Sequence, residues 1–150
     1  MSDVQIDVRR MFVESFTALN EKITGFPLYY SQRELPCDFS QNIKIQSSGL
    51  FHASMYISME KSFEDAVWKG MAKKEELSAE LKKLYLGEFI NVLCGHALTH
   101  IIDVLGSSSR LTVPAVGQSE WHERSEFLKE YILYFHAECG VMKVEIACEC

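Results

Sequence analysis

Two side chains in the middle of the longest helix-like stretch of this 150-residue chain, Leu77 to Leu105, have the types and spacing for chemistry: Glu88 and Asn91. Residues at i and i+3 lie on one helical face, so the carboxylate and the carboxamide point out side by side. An ionised carboxylate only accepts hydrogen bonds, whereas a carboxamide both donates and accepts. Together they can grip a cation and orient a water. Pro114 follows Asn91 after 22 intervening residues.

Other chemistry-bearing residues are sparser. His96, His100 and Asp103 fall at i, i+4 and i+7, so they share a helical stripe that can bind a metal. Ala97 follows His96, which removes the His-Glu-x-x-His pattern of zinc proteases. Both histidines sit at the flank of the apolar face, where a hydrogen-bonded structural histidine is the commoner role. The tail Cys148-Glu149-Cys150 is too short to hold zinc without distant ligands. No metal site is expected, and a metal sensor built on His96 and His100 stays as an alternative. Cys94 reads as a small buried apolar residue, and Trp68 and Trp121 as packing residues. The chain carries no Gly-rich phosphate loop, nucleophile elbow or dinucleotide fingerprint.

The bulk composition bounds the answer. At 47% hydrophobic and 24% charged, the chain is of ordinary globular type, and its length suits one domain over residues 1–150. No run approaches the ~18 consecutive apolar residues of a membrane span. The N-terminus is acidic and polar rather than a basic segment leading into an apolar one, so a cytoplasmic location is expected. Five irregularly spaced cysteines (Cys37, Cys94, Cys139, Cys148, Cys150) suit reduced thiols better than a disulfide framework. A net charge of −6, with basic pairs at Arg9-Arg10, Lys73-Lys74 and Lys82-Lys83 diluted by acids, argues against nucleic acid as a partner.

The elements that must position Glu88 and Asn91 read as α+β. Ser2 or Asp3 caps a first helix with Val4, Val8, Phe12, Phe16, Leu19 and Ile23 on its buried stripe, ended by Gly25 and Pro27. Strands are expected over Leu28 to Leu35, around Ile43 and Ile45, and along Phe51, Ala53, Met55, Ile57 and Met59. In the last of these, His52, Ser54, Tyr56 and Ser58 take the other face. Ser48-Gly49 suits a turn between the second and third of these strands. Ser62 caps a short helix through Met71, and Lys73-Lys74-Glu75-Glu76 marks its end. After the long helix and the Gly106–Ser109 loop come strands over Leu111 to Val116, Glu130 to Glu138 and Val141 to Cys148, with a tight hairpin at Cys139-Gly140. Helices packed on one side of a mostly antiparallel sheet of about six strands are the expectation.

At 100° per residue, Leu86, Ile90, Leu93, Ala97, Ile101 and Val104 form the core face of the long helix. Glu88, Asn91, Gly95 and Thr99 lie roughly opposite. Leu81, Leu84, Val92 and Ile102 fall near that second face, so it is partly apolar. Such a face fits a docking surface, and packing against another helix or a subunit is equally compatible. Gly95, one turn beyond Asn91, removes a side chain where something can approach closely. Pro114, lacking an N–H, suits a sheet edge and a structural role in spacing helix from sheet.

The stretch Leu86-Gly87-Glu88-Phe89-Ile90-Asn91-Val92-Leu93-Cys94-Gly95-His96-Ala97, with Pro114, resembles the CheC/CheX/FliY family of chemotaxis phosphatases. That family's motif is Asp/Ser-x3-Glu-x2-Asn-x22-Pro. Glu88, Asn91 and Pro114 match it in identity and spacing, and Leu84 stands where the motif has Asp or Ser. With one motif copy the chain looks most like the CheX type, which works as a homodimer. The resemblance implies an aspartyl-phosphate phosphatase acting on a CheY-type response regulator. In it Asn91 orients the attacking water and Glu88 pairs with a lysine of the regulator. No cofactor is implied on this chain, because the regulator supplies its own Mg²⁺. The surface implied to meet the regulator comprises Leu84, Glu88, Asn91, Val92 and Gly95. A rival of a different class is a non-catalytic regulator-binding or dimerisation module, which Leu84 and the other apolar residues around Glu88 favour.

Overall fold

The computed structural model describes residues 7–36, 38–49, 52–105, 109–116 and 129–149. Within them the order is α1 (Val8–Thr24), β1 (Tyr29–Ser31), β2 (Phe39–Gly49), β3 (His52–Glu60), α2 (Lys61–Ala72), α3 (Ala79–Leu105), β4 (Ser109–Leu111), β5 (Ala115–Val116), β6 (Lys129–Ala137) and β7 (Gly140–Glu149). The strands form an antiparallel sheet in the order β1-β6-β7-β3-β2-β4, with β5 also pairing to β2. The expected α+β architecture is the one that forms. β4 and β5 share the outer edge of β2, so seven strand segments occupy six lanes.

Alternation along the strands builds the core. Ile43, Ile57, Val144 and Leu133 are register partners across four strands, and all are fully buried. Met59, Met142 and Phe135 make a second buried row. The helices cover this face. Phe16 of α1 stacks on Phe135 at 5.4 Å between ring centroids, and Phe63 of α2 meets Phe26 edge-on at 5.5 Å. The polar side of β3 departs from a simple inside-outside pattern, because Tyr56 and Ser58 are buried as well. β3 is flanked by strands on both sides, so cross-strand neighbours lean over these residues. The Ser58 hydroxyl, for example, donates to Asn42 Oδ1 at 2.8 Å.

Several element ends differ from expectation. The expected cap of α1 at Ser2 or Asp3, and Val4 with it, lies outside the described residues. As described, Asp7 caps the helix, its Oδ1 accepting the Arg10 N–H at 3.0 Å. Gly25 ends it in the left-handed conformation, φ 88°, its N–H bonded to the Glu21 carbonyl. The strand expected over Leu28 to Leu35 shrinks to Tyr29–Ser31, because the Ser31 hydroxyl bonds both the N–H and the carbonyl of Arg33 and turns the chain. Ser48 and Gly49 belong to β2 rather than a turn, held extended by pairing with Arg110 and Ser109. Phe51 lies outside the described residues.

One further cap and one turn are corrected. Ser62 lies inside α2, whose N-cap position is Glu60. The Glu60 carboxylate makes no capping bond and instead accepts the Val141 N–H at 2.8 Å, tying helix to hairpin. The β6–β7 turn residues are Glu138 and Cys139, not Cys139-Gly140, since Ala137 pairs with Gly140. Gly140 opens β7 at φ 147°, where a Cβ would lie 2.9 Å from Ser62 Oγ. A side chain there would collide with the α2 N-terminus, which favours glycine at this position. α3 begins where Ser78 Oγ accepts the Leu81 N–H at 3.2 Å. An N-cap serine suffices here without an acidic partner three residues on.

Candidate functional site

α3 carries both faces anticipated for it. Leu86, Ile90, Leu93, Ala97 and Ile101 are buried against α1, α2 and the sheet, and Phe89, Cys94 and Leu98 widen that face. Glu88 and Thr99 are exposed, and Asn91 is half-buried. The side chain of Val104 lies outside the described set. What the helix periodicity does not supply is the opposite wall of the site. That wall comes from the segment expected as one strand over Leu111 to Val116, which is two.

The split has a physical cause. Pro114 has no N–H for the ladder, so β4 ends at Leu111 and β5 starts at Ala115. Between them the chain stays tethered at Thr112. Its N–H donates to the Gln46 carbonyl at 2.8 Å, and its Oγ1 accepts the Gln46 N–H at 3.0 Å. Val113 is pushed outward and is 87% exposed. The result is a raised lip along the sheet edge facing α3.

Between lip and helix lies a groove of about 720 Å³, lined on the helix by Glu80, Lys83, Leu84, Gly87, Glu88 and Asn91. Leu111, Thr112, Val113, Pro114 and Val116 line the other wall. A Cβ built on Gly87 would sit 3.7 Å from Val116 Cγ2 and 3.8 Å from Pro114 Cβ, so lip and helix touch at the groove floor. Among the described residues neither Glu88 nor Asn91 has an intramolecular hydrogen bond or ion pair, which leaves both polar groups free for a ligand in an open, mostly apolar cleft. The carboxamide keeps two donors and an acceptor available, and the carboxylate keeps its acceptors.

The structure gathers Leu84, Glu88, Asn91 and Pro114 from the sequence-derived candidates into this groove. Val92 and Gly95 are not among its lining residues. At Gly95 an added Cβ would meet only an ordinary contact, 3.7 Å from Leu111 Cδ1 of the same chain. Glu80, Lys83, Gly87, Thr112 and Val113 were not singled out as site residues. A signal for the helical ones was present, since 80, 83, 84, 87, 88 and 91 form an i, i+3, i+4, i+7, i+8, i+11 stripe. No local signal marks Thr112 and Val113.

The histidine stripe is built differently. His96 Nδ1 lies 3.0 Å from the buried Ser15 hydroxyl of α1, and the His96 and His100 rings meet edge-on at 4.7 Å. Burial, then His100 and Lys22, holds the His96 pKa below its ordinary value. The ring thus joins two helices. Among the described residues no group of three or more His, Cys, Asp or Glu side chains is placed to hold a metal. Cys94 is fully buried and burial pushes its thiol far up. Cys148 is buried, while Cys37, Cys150 and Trp121 lie outside the described residues. Trp68 is a packing residue: it is 3% exposed, donates to Asp65 at 3.0 Å, and lies under Lys82 and Lys69. No described helix is long and apolar enough to cross a membrane.

No protein-family model matches the chain, and no curated protein matches it. Solved structures do. A chemotaxis protein CheX from Vibrio vulnificus superposes with a TM-score of 0.78 at 19% identity, covering 99% of this chain and 100% of that one. A CheC-like superfamily protein from Shewanella sp. PV-4 gives 0.76 at 20% identity, covering 97% of this chain and 99% of that one. The CheX–CheY–BeF3–Mg²⁺ complex from Borrelia burgdorferi gives 0.75 at 17% identity, covering 97% of this chain and 100% of that one. Along nearly its whole length, therefore, this chain has the fold of the CheX and CheC-like chemotaxis proteins.

Proposed function

We propose that residues 1–150 form one phosphatase domain that docks a phosphorylated CheY-type response regulator and hydrolyses its aspartyl phosphate, in chemotaxis or two-component signalling. The observation that carries this reading is the pair Glu88 and Asn91, unpartnered in an open groove, on a fold shared with a CheX solved together with CheY.

An acyl phosphate is already labile, so the catalyst's main task is to hold a water in line with phosphorus. Asn91 does this with its carboxamide. The water oxygen bonds to phosphorus, the bond from phosphorus to the aspartyl oxygen breaks, and phosphate and a free carboxylate result. A loose transition state gains little from early proton removal, so no ionisable base is needed. When bound, the regulator's own Mg²⁺ supplies charge neutralisation at the phosphoryl oxygens. Glu88 would repel a phosphate, and its productive role is an ion pair with a lysine of the regulator that fixes the docking register. Pro114 acts through shape alone, by ending β4 and holding the lip off the sheet edge. The protein works in the cytoplasm as a homodimer and carries no cofactor of its own.

The second reading, a regulator-binding or dimerisation module without catalysis, is favoured by one observation: Leu84 beside Glu88 is 67% exposed. Decay of phosphorylated receiver domains with stoichiometric wild-type protein and with Asn91→Ala separates the two. Faster decay with wild type only supports catalysis. Equal decay for both, across the organism's receiver domains, removes it and leaves the binding module.

A further inference from the structure

Exposed large apolar side chains are few on the described surface, and they are unevenly placed. Of the five, Leu81 at 44%, Leu84 at 67% and Val113 at 87% belong to the N-terminal half of α3 and to the lip. Leu84 lines the helix wall of the groove together with Glu88 and Asn91, and Val113 lines the opposite wall. Leu81 lies one helical turn before Leu84, continuing the apolar strip outward. Single exposed apolar residues are normal on a surface, but two on opposite walls of one cleft, beside a carboxylate and a carboxamide that have no partner among the described residues, form a site. Neither is needed for folding, since neither belongs to the core cluster.

Resting on the function proposed above, we infer that Leu84 and Val113 are the specificity-determining residues of the Glu88/Asn91 site. They form an apolar clamp that selects a receiver domain presenting an apolar side chain beside its phosphorylation site. The polar pair provides what any aspartyl-phosphorylated receiver shares: a cation for Glu88 and a water for Asn91. Discrimination between receivers must come from elsewhere in the interface, and the clamp is continuous with the polar pair. Covering both walls is a net gain only when the partner offers apolar surface. A partner with a charged or amide side chain there loses its hydration without gaining a hydrogen bond, because Leu84 and Val113 offer none. Lys83 and Glu80 at the helical end of the groove carry opposite charges, which leaves the Glu88 carboxylate as the net charge of the groove, a preference for a cation that every receiver of this kind meets equally.

The test uses full-length protein and BeF3⁻-loaded receiver domains cloned from the organism's own response regulators. Affinity is measured for wild type, Leu84→Ser, Val113→Ser and Asn91→Ala, and turnover is measured with the phosphorylated receivers. Because both clamp positions are exposed, the serine variants should unfold at the wild-type temperature, which a melting curve verifies. The expected result is a loss of about 10-fold or more in affinity for the best receiver in each serine variant, from losing burial of one aliphatic side chain. Turnover at saturating receiver should stay within about 2-fold of wild type, while Asn91→Ala should show the opposite split. A receiver that binds wild type and both serine variants equally overturns the clamp and leaves the proposed function standing. If no receiver binds wild type, the function falls and the clamp with it. A wild-type dimer that Leu84→Ser converts to monomer also overturns it, since the strip then belongs to a second copy of this chain.

Discussion

Thr112 and Gln46 exchange two hydrogen bonds across the sheet edge, one at 2.8 Å from the Thr112 backbone and one at 3.0 Å into its hydroxyl. In a regular ladder the second acceptor would be a backbone carbonyl. Here a side chain replaces it, which lets the chain leave the sheet at Val113 and Pro114 without abandoning the Gln46 N–H. The outer wall of the groove hangs on that substitution.

Thr112→Val keeps the shape and removes the acceptor. One net hydrogen bond is worth about 1 kcal/mol, so urea denaturation should show a loss of that order. Faster exchange of the Gln46 amide, with core amides unaffected, would place the loss at the lip. An unchanged Gln46 amide would mean that the hydroxyl does not hold the lip.

Asn91→Ala should lower hydrolysis of the phosphorylated receiver by about 100-fold or more while leaving affinity nearly intact, because orientation of a reactant contributes on that scale or above. Glu88→Ala should lose binding and turnover together. Single-turnover kinetics over a range of receiver concentrations distinguish the two patterns. A Glu88→Ala variant of wild-type affinity would remove the ion pair from the account.

Gly70 packs under the end of α1, where an added Cβ would run into the Thr24 carbonyl oxygen and lie 2.9 Å from its carbon. Replacing glycine in a helix by alanine ordinarily gains about 1 kcal/mol. Backbone cannot yield as a flexible side chain would, and overpacking costs about 1–3 kcal/mol. Gly70→Ala should therefore lower the melting temperature, against the helix-propensity trend. Gly25→Ala should also lower it, through the left-handed backbone rather than through crowding.

His96 gives stability a pH dependence of known sign. Its folded pKa lies below the ordinary 6.5, mainly through burial and then through His100 and Lys22. The unfolded chain then binds the proton more readily than the folded one. The contribution is fully present above 6.5 and is lost as pH falls through the lower folded value. His96→Gln, which can still bond the Ser15 hydroxyl, should flatten this part of the stability profile between pH 7 and 5. A slope as steep as wild type would assign it to another group.

Much of the Glu88/Asn91 face was legible because a helix is a local object. Spacing alone puts Glu88 and Asn91 on one side of α3 and Leu86, Ile90, Leu93, Ala97 and Ile101 on the other, and the strand alternation at Met55, Ile57 and Met59 is equally local. The α+β layout followed from the apolar period of the segments. What failed were ends and covers. Asp7 and Glu60 hold cap positions expected elsewhere, the β6–β7 turn moved to Glu138 and Cys139, and Tyr56 and Ser58 proved buried. The Glu60 bond to Val141 and the burial of Tyr56 and Ser58 depend on neighbours distant in sequence, whereas the Asp7 cap is a local bond to Arg10.

The same division runs through the site itself. The sequence by itself determined which groups stand together on α3, because covalent geometry and 3.6 residues per turn leave no choice once the helix forms. Only the tertiary structure decided that they stand in a groove. The lip opposite them exists because the Gln46 N–H, 66 residues before Thr112, donates to a threonine hydroxyl in place of a backbone carbonyl, and because the Thr112 N–H donates to the Gln46 carbonyl in return. Those are energies of contact between separate segments, and no spacing along one segment encodes them.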